Sequence, residues 1–418
     1  MIVSGIGCEI RSQGRILASD YPPFVHMSLQ PPANLNSPSS NGTGFDLVAK
    51  DPSTSARAGL LQTPHGPIET PLFMPVGTQG TVKGISSAEL QDSIRAGIVL
   101  GNTYHLYLRP GTELLEQAGG LHRFMRWDGP LLTDSGGYQV FSLSDRRRIR
   151  EEGVEFASHI DGSRHLFSPE ESMRIQRSIG ADFCMAFDEC TPYPCAHKDA
   201  KASMELTHRW LDRSLKAWEQ TQPLYGHPQR LIPIVQGSTY PALRVESARF
   251  VAERATHGCA IGGLSVGEPI EDMYQMTDEV TSILPENQFR YLMGVGTPAN
   301  ILESIARGVD LFDCVMPTRN ARNGMLFTWK GIINLRNRKW RSDFTALDPE
   351  SSLTEDRLYS KAYVAHLFQC HEMLGPRLAT LHNLHFYLDL TRVARKHILA
   401  GDFAAWKSDI LPQLTHRL

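Results

Sequence analysis

The chain has 418 residues, 41% hydrophobic and 21% charged, with a formal net charge of −3. That describes a globular protein with a sizeable core in one large domain or two ordinary ones, and it excludes a global basic field, so any nucleic-acid contact must come from a local patch. The seven cysteines (Cys8, Cys184, Cys190, Cys195, Cys259, Cys314 and Cys370) are odd in number and form no C-x-x-C pair, which argues against a disulfide framework and for the reduced thiols of a cytoplasmic protein. No apolar run approaches membrane-spanning length and no basic-then-apolar signal pattern opens the chain.

Residues 1–44, rich in Pro, Ser, Asn and Gly, read as a flexible lead-in, and Met27 is an alternative start. From Phe45 short apolar runs alternate with helix-length amphipathic stretches. Buried strands are expected at Ile98–Asn102, Leu131–Asp134, Phe183–Asp188, Leu231–Gln236, Ala260–Gly263, Tyr291–Gly294 and Leu311–Asp313. Helices are expected at Ser168–Ile179, Lys198–Gln220, Tyr240–Thr256, Ile270–Ile283 and Thr297–Arg307. This alternation implies a parallel sheet, and strands apolar on both faces imply burial on both. Every strand delivers a polar or glycine-rich tip. The tips are spread along the chain, which favours a (β/α)8 TIM barrel over a doubly wound sheet. Turn signals at Asp161-Gly162 and Lys330-Gly331 mark β-hairpin insertions in a catalytic unit of 45–343. Residues 344–418 read as a C-terminal helical subdomain, with helices near Leu358–Leu374 and Leu381–Leu399.

The tips carry the chemistry. Leu311-Phe312-Asp313 ends on a carboxylate, Pro317 follows, and Arg319 and Arg322 are expected on a loop. The plain reading is a turn in which Asp313 pairs with Arg319; the sharper one is a nucleophile beside phosphate-binding guanidiniums. Asp134-Ser135-Gly136-Gly137-Tyr138 supplies a second carboxylate with glycines that admit a ligand to the backbone. Asp188 ends an apolar strand and needs a donor, Gln236 adds an amide, and Gly263-Leu264 adds bare backbone. Thr297-Pro298 reads first as the cap of an ordinary helix, and its N-terminus could also accept a phosphate. From Arg319 to Arg341 seven basic residues, Lys330 and Lys339 among them, occur without an acid and with Trp329 and Trp340 interleaved; Arg146-Arg147-Arg148 is a weaker basic run.

In order along the chain, Met74–Thr78, Gly101–Leu106, Leu132–Gln139, His159–Ser163, Met185–Tyr193, Gln236–Ser238, Gly262–Glu268, Leu292–Gly296 and Phe312–Arg319 resemble the motifs of the bacterial-type tRNA-guanine transglycosylases. The resemblance implies exchange of the wobble guanine of tRNAs with GUN anticodons for 7-aminomethyl-7-deazaguanine, a step of queuosine biosynthesis. Asp313 is then the nucleophile and Asp134 the acid/base. Tyr138 and Met293 sandwich the base. Asp134, Ser135, Gly136, Gly137, Asp188, Gln236, Gly263 and Leu264 line its pocket, supported by Asn102, His105, Cys190, Val266 and Glu268. Gly294, Val295, Gly296, Thr297, Pro298, Ala299 and Asn300, with Thr318, Arg319, Asn320, Ala321 and Arg322, match RNA contacts. The implied partners are the tRNA anticodon loop and a second copy in a homodimer. A queuine-using salvage enzyme, a non-catalytic tRNA-binding subunit and a glycoside hydrolase are the alternatives. The family's zinc site of three cysteines and a histidine is read as absent. Its positions hold Ser351, Leu353 and Asp356, with His382 remaining, so no metal ligand and no cofactor are assigned.

Overall fold

The computed structural model describes residues 44–138 and 148–418. The lead-in as far as residue 43, Gln139, Arg146 and Arg147 therefore lie outside the described residues.

The fold is mixed α/β. One parallel sheet orders its strands as Arg230–Ile232, Phe183–Met185, Leu131–Thr133, Val99–Gly101 and Val76–Gly77. The other orders Ile234–Val235, Gly258–Ile261, Phe289–Leu292, Leu311–Asp313 and Leu72–Met74. Pro75 separates Leu72–Met74 from Val76–Gly77, and Pro233 separates Arg230–Ile232 from Ile234–Val235. Proline has no N–H to give a ladder, so each run breaks there and passes from one sheet to the other. The proline carbonyls still pair: Leu100 N–H reaches Pro75 O at 3.0 Å and Ala260 N–H reaches Pro233 O at 2.9 Å. The strand at Leu72–Met74 is not anticipated from sequence, because flanking prolines make the apolar run look like a turn.

Leu131, Leu132, Phe183, Cys184, Met185, Ile261 and Phe312 are fully buried. Each large apolar side chain so enclosed contributes about 1.5–3 kcal/mol. The helices between strands start and stop where local chemistry says they should. Pro169–Ile179 is capped by Ser168, whose hydroxyl accepts from Glu171 N–H, and it ends on Gly180 in the left-handed region. Pro298–Ala306 is capped by Thr297 through Asn300 N–H. At the N-terminal ends of the strands, the buried Arg57 guanidinium pairs with Asp310, which also accepts from Arg290 N–H at 2.7 Å. The hairpins form as Gly153–Ala157 with Arg164–Phe167 and as Met325–Thr328 with Gly331–Asn334.

Two expectations need correction. Arg319 and Arg322 lie on a helix, Met316–Arg322, and not on a loop; Pro317 sits in its first turn, where no intrahelical N–H is required. The single helix expected at Leu358–Leu374 is instead Thr354–Leu358 and Lys361–Gln369, and the next helix starts early, at Leu374–Ala400. Ser360 caps the second of these by accepting from Tyr363 N–H, and His371 adopts a positive φ of 56° after its end. The apolar periodicity runs across both breaks and hides them. Asn383 of the long helix donates to Pro317 O (2.9 Å) and Met325 O (3.0 Å), and Tyr387 donates to Gly296 O (2.5 Å). These bonds fix the segments that follow two strand tips. No helix among the described residues is long and apolar enough to cross a membrane.

Candidate active site

Asp313 ends its strand and receives two hydrogen bonds on one oxygen, Oδ1: from the Tyr291 hydroxyl at 2.6 Å and from Gly294 N–H at 2.9 Å. Both donors hold that one oxygen and leave Oδ2 outside these bonds. The Asp313–Arg319 pair of the plain reading does not form; Arg319 is exposed. Enclosure by surrounding protein raises the Asp313 pKa above the usual carboxylate range, against the Tyr291 and Gly294 bonds that lower it.

Asp134 follows the strand Leu131–Thr133 and is buried. Asn102 Nδ2 donates to its Oδ2 at 2.5 Å and Thr103 N–H to its Oδ1 at 2.8 Å, while Thr103 Oγ1 donates to its backbone carbonyl. Burial holds the Tyr291 phenol well above its ordinary pKa, and the Asp313 and Asp134 carboxylates add to that shift. Asp134 and Asp313 both stand at the C-terminal ends of strands of the two parallel sheets. Removing the Tyr291 hydroxyl leaves burial less opposed at Asp313. Tyr291→Phe should therefore move the acid limb of the rate profile to higher pH, read from initial rates across pH; an unmoved limb would remove Tyr291 from control of Asp313.

Beside them lies a polar slot. Asp188 accepts from Ser135 Oγ at 2.6 Å and from Gln236 Nε2 at 2.8 Å, and burial raises its pKa despite both bonds. The glycines are spatial necessities. A Cβ on Gly137 would sit 2.4 Å from Asp188 O, and one on Gly263 2.2 Å from Gln236 Oε1. Arg244, fully buried, donates to the carbonyls of Ser238 (2.6 Å), Gly262 (2.7 Å) and Gly263 (3.0 Å) and so fixes the slot's backbone. The Glu268 carboxylate accepts from the N–H groups of Ser265 and Val266, which holds the loop after the buried Leu264. Tyr138 is about half exposed at 49%, and Cys190 and Cys314 lie close enough to perturb its phenol. Burial pushes the Cys190 thiol up to about 12, so it is neutral lining. Met293 is half-buried. His105 stands edge-on to Tyr104 and His159, and burial lowers its pKa, followed by the His159 and Lys83 charges.

The residues matched to RNA contacts divide. Val295, Gly296, Pro298, Thr318 and Ala321 are buried, and Gly294 N–H serves Asp313. Thr297 and Asn300 are engaged in capping, and Asn300 Oδ1 also accepts from Tyr274. Ala299 and Asn320 are half-buried. Arg319 and Arg322 are exposed, as are Arg336, Arg338, Lys339 and Arg341. Lys330 instead pairs with Glu350 at 2.8 Å. Thr103, Tyr291 and Arg244 carry no signal of these roles in the sequence. A backbone N–H has no residue signature, Tyr291 sits inside an apolar strand, and Arg244 looks like the polar face of an ordinary helix.

Residues 51–416 match the model of the family described as TGT, queuine tRNA-ribosyltransferase. The chain is 53% identical over 354 residues to the queuine tRNA-ribosyltransferase of Thermoanaerobacter sp. (strain X514), spanning 85% of this chain and 93% of that protein. It is 51% identical over 368 residues to that of Pelotomaculum thermopropionicum, spanning 88% and 97%. The chain belongs to the queuine tRNA-ribosyltransferase family. The strand tips from Asn102 to Arg322 all fall within the matched span.

The zinc implied by the family resemblance does not fit the residues that stand at its positions. Leu353 offers no donor and Ser351 Oγ accepts from Leu353 N–H. His382 is buried with both nitrogens committed, Nδ1 to Asp356 Oδ2 at 2.9 Å and Nε2 to Phe327 O at 2.8 Å. Both partners are acceptors, so both nitrogens must carry protons and the ring is an imidazolium. Burial works against that charge, but the Asp356 carboxylate and its hydrogen bond, Asp348 and the Phe327 carbonyl together raise the pKa above its ordinary value. A raised folded-state pKa gives stability that is full below the unfolded value of about 6.5 and lost as pH rises through the folded one. The melting temperature should fall on that alkaline side, and Asp356→Asn should remove this component of the pH dependence; a wild-type alkaline slope that survives in the variant would refute the charged pair.

Proposed function

We propose that this chain is a tRNA-guanine transglycosylase of queuosine biosynthesis, a pentosyltransferase that works by double displacement on a (β/α)8 barrel. The barrel reading is supported by the two parallel sheets sharing both proline-broken runs, at Pro75 and Pro233, so that the ladder from Leu72–Met74 around to Leu311–Asp313 returns to its start. The 45–343 catalytic unit and the 344–418 helical subdomain follow as its divisions. The observation that carries the chemistry is the Asp313 carboxylate at its strand tip, held on one oxygen by the Tyr291 hydroxyl at 2.6 Å and by Gly294 N–H at 2.9 Å.

The mechanism follows from what these groups do. Asp313 Oδ2 attacks the anomeric carbon of the wobble ribose; the bond to guanine breaks and the base leaves with a proton from the Asp134 side. The ester holds the tRNA on the enzyme. Asp134 then takes the ring-nitrogen proton of the incoming base, whose nitrogen displaces Asp313 and restores the glycosidic bond. The two inversions give net retention, as in a retaining glycosidase with a heterocycle in place of water. Asp188 reads the ring N–H and exocyclic amine, Gln236 and Gly263 N–H the carbonyl, and the target nucleotide leaves the stack to reach them. The incoming base is 7-aminomethyl-7-deazaguanine; by the resemblance Cys190 and Val266 match the bacterial pattern, where queuine-using relatives carry smaller or different groups, and so favour it over queuine. The Ser351–His382 position takes no zinc, the working assembly is a homodimer and the enzyme acts in the cytoplasm.

Incorporation of labelled guanine into tRNA, competed in turn with the aminomethyl base and with queuine, tests this reading. Exchange competed by the aminomethyl base supports it, and absence of exchange overturns it. The exposed Arg322 supplies phosphate charge. Arg322→Ala should weaken tRNA binding and lower the magnitude of the log Kd against log salt slope by about 0.7–0.9. An unchanged slope would remove Arg322 from the RNA track.

A further inference from the structure

At the opposite ends of the strands from the catalytic carboxylates, three imidazoles meet. His65 lies in the turn between Arg57–Leu61 and Ile68–Thr70, His122 in the helix Leu121–Met125, and His227 in the loop before Arg230–Ile232. The His65 and His122 rings stack at 3.9 Å, and His227 stands edge-on to both at 4.7 and 5.5 Å. One nitrogen from each lies within 4.8 Å of the others.

Their backing is a buried acid. Asp182 Oδ1 lies 2.7 Å from His65 Nδ1, and Oδ2 accepts from Leu131 N–H at 2.8 Å and lies 3.4 Å from His122 Nε2. A carboxylate and a carbonyl only accept, so His65 Nδ1 and His227 Nε2, the latter 3.0 Å from Gly180 O, must be the protonated nitrogens. The lone pairs then fall on His65 Nε2 and His227 Nδ1. His122 Nε2, buried and 3.4 Å from Asp182 Oδ2, makes no well-aligned hydrogen bond. Histidines that give one N–H to a carboxylate or backbone carbonyl and keep the other nitrogen bare are the pattern found behind metal ligands.

We propose that His65, His122 and His227 form a site for one divalent transition-metal ion of the zinc class, oriented by Asp182. Three neutral imidazoles suit zinc, cobalt, nickel or copper and leave a further coordination position for water. Bonds of about 2.0–2.1 Å in a tetrahedron need nitrogens about 3.3 Å apart, so the rings must turn inward from their stack when the ion binds. The site is remote from the chemistry: Asp182 precedes the strands and Asp134 follows them, about 10 Å along a three-residue strand. It is also separate from the position of Ser351, Leu353, Asp356 and His382.

The test uses the full chain, stripped with chelator and titrated with Co2+. The expected result is a saturable visible absorption at one equivalent, displaced by Zn2+. His227→Gln and the double variant His65→Ala/His122→Ala should each weaken binding by at least about tenfold, with fold checked by circular dichroism. His227→Gln is the milder change, since it replaces one half-buried side chain of a loop and a glutamine amide can still donate to Gly180 O. Asp356→Asn should bind like the wild type. No saturable signal, retention of tight binding in His227→Gln, or loss of binding in Asp356→Asn would overturn the assignment. Base exchange is unaffected by metal removal if the site is as remote as its position requires, so this outcome is separable from that of the exchange assay.

Discussion

An Asp313→Ala enzyme should exchange no base and should leave no tRNA attached after denaturation. A covalent route divides one difficult substitution into two, and without the attacking oxygen neither half has a path. Loss of a nucleophile in such a route costs at least about four orders of magnitude, with what remains coming from binding and positioning. Truncation also leaves the buried Tyr291 hydroxyl without its acceptor, a penalty of about 1–3 kcal/mol, while the exposed Gly294 N–H can turn to water. Asp313→Asn answers that objection, because an amide oxygen can still accept from both donors while being a poor nucleophile. It should fold like the wild type, bind tRNA, and form no adduct. Exchange at a normal rate by either variant would refute Asp313 as the attacking group.

Asp134→Asn should be the second most damaging change, slowing exchange by about 10²–10⁴-fold, the usual worth of a positioned acid/base. Its effect should fall on the turnover step and spare tRNA affinity, since Asp134 is buried and held by Asn102 and Thr103, not by phosphate. Both neighbours donate, so an asparagine amide must lose one of the two bonds, and Asp134→Ala is the companion that separates lost proton transfer from a misplaced side chain. The two variants should show the same defect in a single-turnover experiment, with adduct formation and its discharge by incoming base both slowed. If only discharge were slowed, some other group would be protonating the departing guanine.

The alternation of strand and helix is readable because strands enclosed on both faces are continuously apolar, and because Ser168, Thr297 and Gly180 announce their helix ends. The first strand of the series escapes notice because Pro71 and Pro75 bracket it, although Pro75 is also what passes the chain between sheets. The candidate site is readable where it depends on strand tips: Asp134, Asp188, Gln236 and Asp313 each interrupt an apolar run with a group that cannot be buried alone. It is not readable where it depends on partners brought from elsewhere. Arg244 reaches three carbonyls from a helix, Tyr291 turns its phenol into the cleft from a strand, and Thr103 contributes an N–H that every residue possesses. The histidine cluster is hidden for the same reason, since its members are more than fifty residues apart in sequence.

The central claim is that a single carboxylate becomes bonded to the ribose. It is tested most directly by incubating enzyme and tRNA without an incoming base, denaturing, digesting both polymers and locating the ribosylated peptide by mass spectrometry. A sugar ester on Asp313 is the expected result. An ester on Asp134 or elsewhere, or no ester in a preparation that exchanges base at full rate, would contradict the account.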